Sequence, residues 1–166
     1  SGEGTKPTDE TAAYLETVGI SKQWTWFGTR SDIPNQLAKH DALIHASYFE
    51  SLPNVICEAL ASGRPVLASR VCDNNRLVED GVSGFLFDPG SPESIATAIM
   101  ALSQKTFSER HRMGQAAREY AEKHLSLERF IDAYVQLIIT RSFFFDIGNR
   151  HTNNRKIMIS PTHHDL

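Results

Sequence analysis

The sequence predicts an α/β domain, a parallel sheet with helices on both faces. Two observations carry this expectation. Short apolar runs, "DALIHAS", "PVLAS" and "GFLFD", alternate with longer segments of helical periodicity, and that alternation is the signature of parallel layering. "DALIHAS" is also nearly continuous in its apolar character, as expected of a strand covered on both faces.

Each element has a local justification. The start, "SGEGTKPTDE", is polar and glycine-rich and reads as a loop. A helix over roughly 8–18 follows, with Ala12, Ala13, Leu15 and Val18 on one face. "QWTWFG" reads as a short aromatic strand stopped by Gly28. "SDIPNQLAKH" reads as a helix capped by Ser31 or Asp32, with Pro34 in its first turn. After the "DALIHAS" strand, a Ser51-Leu52-Pro53-Asn54 turn opens a helix over about 53–62 that Gly63 terminates. "PVLAS" is a second buried strand, "NNRLVEDG" a helical turn closed by Gly81, and "GFLFD" a third strand. A helix capped by Ser91 spans 92–103. A second spans 108–124, with Ala116, Ala117, Tyr120 and Ala121 at helical spacing. A third spans 126–140, with Phe130, Tyr134, Leu137 and Ile138 on its buried face. Residues 1–140 read as one domain. Residues 141–166, including "RSFFFDIGNRHTNNRK", lose periodicity and read as an extension, docked or partly disordered.

Composition narrows the function classes. The chain has 166 residues, 40% hydrophobic and 22% charged, which suits one globular domain with a buried core. A net charge of −3 carries no signature of a nucleic-acid or anionic-membrane partner. The two cysteines, Cys57 and Cys72, have neither metal spacing nor a disulfide framework. Both read as reduced, which points to a cytoplasmic location. No apolar run approaches the roughly 18 residues of a membrane span, and no signal peptide is expected.

The chemistry centres on "ESLPNVICE", residues 50–58. In a doubly wound sheet, ligands bind beyond the C-terminal ends of the strands. This segment follows the "DALIHAS" strand directly, so it lies at that edge. The next helix points its N-terminus there, and its free N–H groups and dipole favour an anion such as phosphate. Pro53 sets the entry geometry without wasting a donor. Glu50 would lie on the loop, and Glu58 about five residues into the helix, roughly 8 Å along its axis. A carboxylate accepts hydrogen bonds from vicinal hydroxyls. The pair therefore suits a ligand with hydroxyl-rich groups at both ends and phosphates between them, as in a nucleotide-diphosphate sugar. Two glutamates on a solvent face are the plainer reading of E-x7-E alone.

The order of motifs goes further. "SYFESLPNVICEALASGRPVLAS" followed by "LVEDGVSGFLFDPGSPESIATAI" closely resembles the C-terminal donor-binding domain of family 4 retaining glycosyltransferases of the two-Rossmann-domain (GT-B) type. The likeness runs through roughly 1–140. It implies a Rossmann-like parallel sheet, incomplete at its N-terminal side. It implies that Glu50 contacts donor-sugar hydroxyls as the catalytic-centre carboxylate, and that Glu58 holds the ribose. By the same likeness Ser51, Leu52, Pro53 and Asn54 form the turn whose amides approach the sugar and diphosphate. Gly28, Thr29 and Arg30 match the loop near the base, and Gly2 and Gly4 match a glycine turn. No cofactor or metal is implied, because amides and basic groups neutralise the leaving diphosphate. The expected partners are a UDP- or GDP-sugar and, through an N-terminal domain not in this sequence, a glycan or lipid-linked acceptor. In the whole enzyme the implied location is cytoplasmic, at the inner face of the membrane.

The departures from the pattern matter. Ser51 stands where the family has glycine. "CDNNR" stands where Gly-Gly-x-x-Glu is common, with Arg76 in the glutamate's place. The family's phosphate-gripping Arg and Lys lie upstream of "GEG". The expectation is therefore a hexosyltransferase as the full-length protein, with this chain alone inactive and weak in nucleotide binding. The alternatives are a non-catalytic nucleotide-sugar-binding or interaction module completing a partner chain and, fitting worse, a nucleotide-sugar epimerase. Outside the motif, Trp24 or Trp26 could stack on a base but suits core or interdomain packing better. His45 reads as a satisfied core histidine. His151, His163 and His164 read as an exposed tail rather than metal ligands. Arg110, Arg112 and Arg118 read as a solvated helix face, and Phe143, Phe144 and Phe145 as an apolar patch unless docked.

Overall fold

The computed structural model describes the backbone of residues 9–148 and the side chains of residues 9–139. Two compact units divide the chain, Ser1–Leu125 and Ser126–Leu166. The first unit runs α1 (Asp9–Thr17), a 3-10 turn (Ser21–Gln23), α2 (Ile33–Lys39), β1 (Leu43–His45), α3 (Asn54–Ala61) and β2 (Val66–Ser69). It continues with α4 (Asn74–Leu77), β3 (Gly84–Phe87), α5 (Pro92–Ser103) and α6 (Phe107–His124). The second unit contains α7 (Leu127–Gly148).

The three strands form one parallel sheet in the order β1-β2-β3. Leu43 pairs with Val66, and Val66 with Gly84. All four residues of β2 are buried, as a central strand requires. Strand alternation then divides the core. Val66 and Ala68 join Leu37, Ile56, Ala59, Leu60, Ala117 and Ala121 on one face. Leu67 joins Phe87, Ala98, Leu102 and Met113 on the other. Helices therefore cover both faces of this open sheet. Each large core side chain such as Ile56 or Leu60, fully buried here, stabilises the fold by about 1.5–3 kcal/mol.

The ends of the elements follow local chemistry. Ser91 caps α5 by accepting from the Ser94 N–H. Helix α6 starts one residue before the expected position because Thr106 and Glu109 form a capping box. The Thr106 backbone N–H holds the Glu109 carboxyl below its usual range, and its hydroxyl adds to the effect. Gly63 closes α3 in a left-handed conformation, φ 65°, with Gly63 N donating to Leu60 O and Arg64 N to Ala59 O. Gly114 of α6 presses on that turn, and a Cβ there would overlap the Gly63 carbonyl oxygen. The small residues at 114, 117 and 121 thus let α6 lie close to α3.

Several sequence expectations are corrected. "QWTWFG" is not a strand: residues 24–27 have no regular structure, and Trp24, Trp26 and Phe27 are exposed. Strand propensity expresses itself only beside a partner strand. Instead the two indoles meet each other, ring centroids 5.6 Å apart. β1 is not covered on both faces, since Ile44 is 48% exposed. Among the described residues β1 is an edge strand with one bare face. Neither Ser31 nor Asp32 caps α2 through its side chain; Asp32 is taken up by Arg30 and Gln36. Cys72 lies exposed in a turn, at φ 47°.

Helix α7 continues through residues 140 and 141 to Gly148. It is the one described element of its unit. Phe130, Tyr134, Leu137 and Ile138 are exposed rather than forming a buried face, because nothing described in that unit packs on them. Gly2, Gly4, His151, His163 and His164 lie outside the described residues, as do the side chains of Phe143, Phe144 and Phe145. Among the described residues, no helix is long and apolar enough to cross a membrane.

Candidate functional site

The candidate site is assembled by the connection from β1 to α3. β1 ends at His45, and the chain turns outward at the C-terminal edge of the sheet. Ser47 N donates to Ser69 Oγ at 2.9 Å, tying the loop to the end of β2. Asn74, fully buried, donates from Nδ2 to Ser69 O at 2.9 Å and holds the start of α4 to the same strand end. Tyr48 and Phe49 project into solvent, 78% and 81% exposed. Glu50 then turns back. His45 Nε2 lies 3.1 Å from Glu50 Oε1, and both side chains are partly buried, 20% and 30% exposed. A carboxylate oxygen only accepts, so the imidazole donates from Nε2.

Ser51 and Leu52 are exposed, and Pro53 is buried at the N-cap of α3 with φ −74° and ψ 103°. Pro53 O accepts from Ile56 N and Cys57 N, which begins the helix. No side chain caps it. Its first N–H groups thus remain donors at the edge where Glu50 sits, with the positive end of the helix dipole behind them. Ile56, Ala59 and Leu60 anchor the inner face of α3, and Asn54 and Glu58 are exposed outside. Cys57 is half-buried, and that burial pushes its thiol up, away from thiolate chemistry.

The segment holding Gly28, Thr29 and Arg30 precedes α2. Residues 40–42 join α2 to β1. So short a connection makes α2 run back against the strand direction, which sets its N-terminal end at the edge that carries Glu50. Gly28 adopts φ 63°, and Thr29 and Arg30 are exposed. Arg30 is already engaged, its Nε and Nη2 each 2.7 Å from an oxygen of Asp32. That hydrogen bonding, reinforced by Gln36, holds the Asp32 carboxyl well below the usual carboxylate range. A depressed folded value means that the pair supports the fold above the ordinary carboxylate pKa. The support fades as pH falls through the depressed value. Arg30→Ala is therefore expected to return Asp32 toward its ordinary titration and to raise the pH at which acid unfolding begins. Carboxyl 13C titration checks this, and an unmoved Asp32 would refute it.

Arg76 lies on α4 at the same edge. Its guanidinium is 81% exposed and 3.4 Å from Asp73, while its carbonyl accepts from the Tyr120 hydroxyl at 2.6 Å. Arg118 pairs with Glu122 and donates to Ala61 O at the far end of α3, so it braces the fold rather than serving only as a solvated face. The fold thus brings together Glu50, residues 51–54 and the start of α3, with Glu58 further along that helix. Sequence reasoning treated His45 only as a core histidine and passed over Asn74. Their signal was position, since each follows the end of a strand or closes it.

Residues 3–120 match the family described as glycosyl transferases group 1. The chain belongs to this family. Its relatives within the glycosyl transferases group 1 include LpsE of Rhizobium meliloti, a lipopolysaccharide core biosynthesis glycosyltransferase. LpsE is 32% identical over 75% of this chain and 36% of its own length. WaaG of Escherichia coli, a lipopolysaccharide glucosyltransferase, is 30% identical over 66% of this chain and 29% of its own length. The solved structure of Anabaena HepE in complex with UDP superposes with a TM-score of 0.74 at 26% identity. It covers 79% of this chain and 36% of HepE, and a second HepE structure contains UDP-glucose. This group 1 chain therefore spans about a third of the length of the relatives it matches. Its open parallel sheet with surrounding helices is the fold of those GT-B structures.

Proposed function

We propose that this chain is the donor-binding part of a retaining, family 4 hexosyltransferase that moves a sugar from a nucleotide diphosphate to an acceptor hydroxyl. The observation that carries the reading is the placement of Glu50 beside the uncapped N-terminus of α3, at one open edge of a glycosyl transferases group 1 fold. In this reading Glu50 and Glu58 are the E-x7-E pair. Glu50 accepts hydrogen bonds from the donor sugar, and Glu58 accepts them from the ribose. The amides at Ser51 to Asn54 and the first turn of α3 neutralise the diphosphate as it leaves. Gly28, Thr29 and Arg30 lie toward the base, with Arg30 exchanging Asp32 for the ligand. UDP-glucose is the donor to test first, because HepE structures contain UDP and UDP-glucose. The acceptor is a glycan or lipid-linked hydroxyl held by a domain outside this sequence. The unpaired cysteines suit work in the cytoplasm.

The expected result is saturable but weak binding of UDP-glucose by the 166-residue chain, without sugar transfer to any acceptor. Isothermal calorimetry at millimolar ligand and a radiolabelled transfer assay measure the two parts. Absence of saturation with every nucleotide sugar would overturn the donor-site reading. Turnover by the chain alone would overturn its assignment as a donor-binding part.

A further inference from the structure

We infer that His45 is the positioning residue for Glu50, holding one carboxylate oxygen so that the other is presented to a donor-sugar hydroxyl. The inference rests on the donor-site reading of Glu50 and goes beyond it, because it assigns a role to a residue outside the E-x7-E segment.

Three features support it. First, the contact is specific: Nε2 of His45 and Oε1 of Glu50 are 3.1 Å apart, and no second Glu50 side-chain bond occurs among the described residues. One oxygen is committed, and Oε2 keeps its acceptor capacity for a ligand. Second, the two ends of the pair differ in how they are held. His45 is the last residue of β1, paired through the ladder with Ala68. Glu50 sits on a loop whose neighbours Tyr48 and Phe49 are largely exposed. A carboxylate on such a loop has many rotamers to lose on binding, and a hydrogen bond to a strand residue removes that freedom in advance. Third, the loop has a second tether, Ser47 N to Ser69 Oγ. With that tether the backbone path is held from β2, and the His45 contact is left to set the direction of the Glu50 side chain.

The test separates sugar from nucleotide. UDP and UDP-glucose are titrated against the chain and against His45→Leu, His45→Gln and Glu50→Gln, with folding of each variant checked by circular dichroism. His45→Leu removes the donor and is expected to weaken UDP-glucose about tenfold, the size of one hydrogen bond to a charged group, while UDP is unchanged. His45→Gln, which keeps an N–H donor, is expected to recover most of that loss. In the ligand-free chain the imidazole 15N shifts are expected to show the proton on Nε2. Equal weakening of UDP and UDP-glucose in His45→Leu would reduce His45 to a structural role and overturn the inference. So would an unchanged UDP-glucose affinity in His45→Leu while Glu50→Gln is impaired. If Glu50→Gln itself leaves the preference for UDP-glucose over UDP intact, Glu50 does not touch the sugar. The donor-site reading of Glu50 then fails first and takes this inference with it.

Discussion

Glu58→Ala is expected to weaken UDP binding by about ten- to a hundredfold while leaving the stability of the chain within about 0.5 kcal/mol of its starting value. The binding loss follows from the proposed ribose contact, since hydrogen bonds to a charged acceptor contribute about 1.5–3 kcal/mol each. The neutral effect on folding follows from the structure. Glu58 is exposed on α3, its side chain makes no hydrogen bond or ion pair among the described residues, and its neighbours Ile56, Ala59 and Leu60 carry the packing. Alanine is also a better helix former than glutamate. A destabilised variant would therefore be as informative as an unaffected one. Glu50→Ala should behave differently, discriminating against UDP-glucose but not UDP, because its proposed partner is the sugar. Calorimetry with both ligands checks the pair. Unchanged UDP affinity in Glu58→Ala would remove the outer face of α3 from the nucleotide site.

Gly84→Ala is expected to reduce stability by about 3 kcal/mol or more, near the upper end for overpacking. Gly84 opens β3 directly beside Val66 of the central strand, and a Cβ there would overlap the Val66 backbone. A flexible side chain could swing aside, but a backbone in a ladder cannot. β2 and β3 must part, which weakens their hydrogen bonds and disturbs Val66 and Phe87, both among the most buried residues. The turn before it is equally bound. Gly81 N donates to Gly84 O at 2.8 Å, Leu86 N donates to Asp80 Oδ1 at 3.0 Å, and Arg70 pairs with Asp80 at 2.7 Å. Gly81→Ala provides the contrast. Gly81 has φ 79° with open space around its Cα. Its substitution carries only the left-handed backbone strain of about 1–2 kcal/mol. Urea unfolding of the two variants measures the difference, and equal losses would rule out the close-approach explanation.

Much of the scaffold around the site is legible in the residues. The strands at "PVLAS" and "GFLFD" and the helices after Pro53 and Ser91 fall where their apolar runs and caps place them. The position of Glu50 at the C-terminal edge of the sheet follows from the strand immediately before it. What could not be read was pairing. Arg30 looks available for a ligand until Asp32 and Gln36 are seen around it. His45 looks like core until Glu50 turns back to it.

By itself, then, the sequence determined helix starts, turns and the order of apolar runs. A proline, a capping serine or a left-handed glycine acts within four or five residues of its own position. Tertiary structure decided the rest. Whether "QWTWFG" pairs as a strand, whether Ile44 is covered and which way the Glu50 carboxylate points all depend on which distant groups lie alongside. A backbone N–H or a carboxylate takes its conformation from the partner that satisfies it, and that partner is brought near only by the packed sheet.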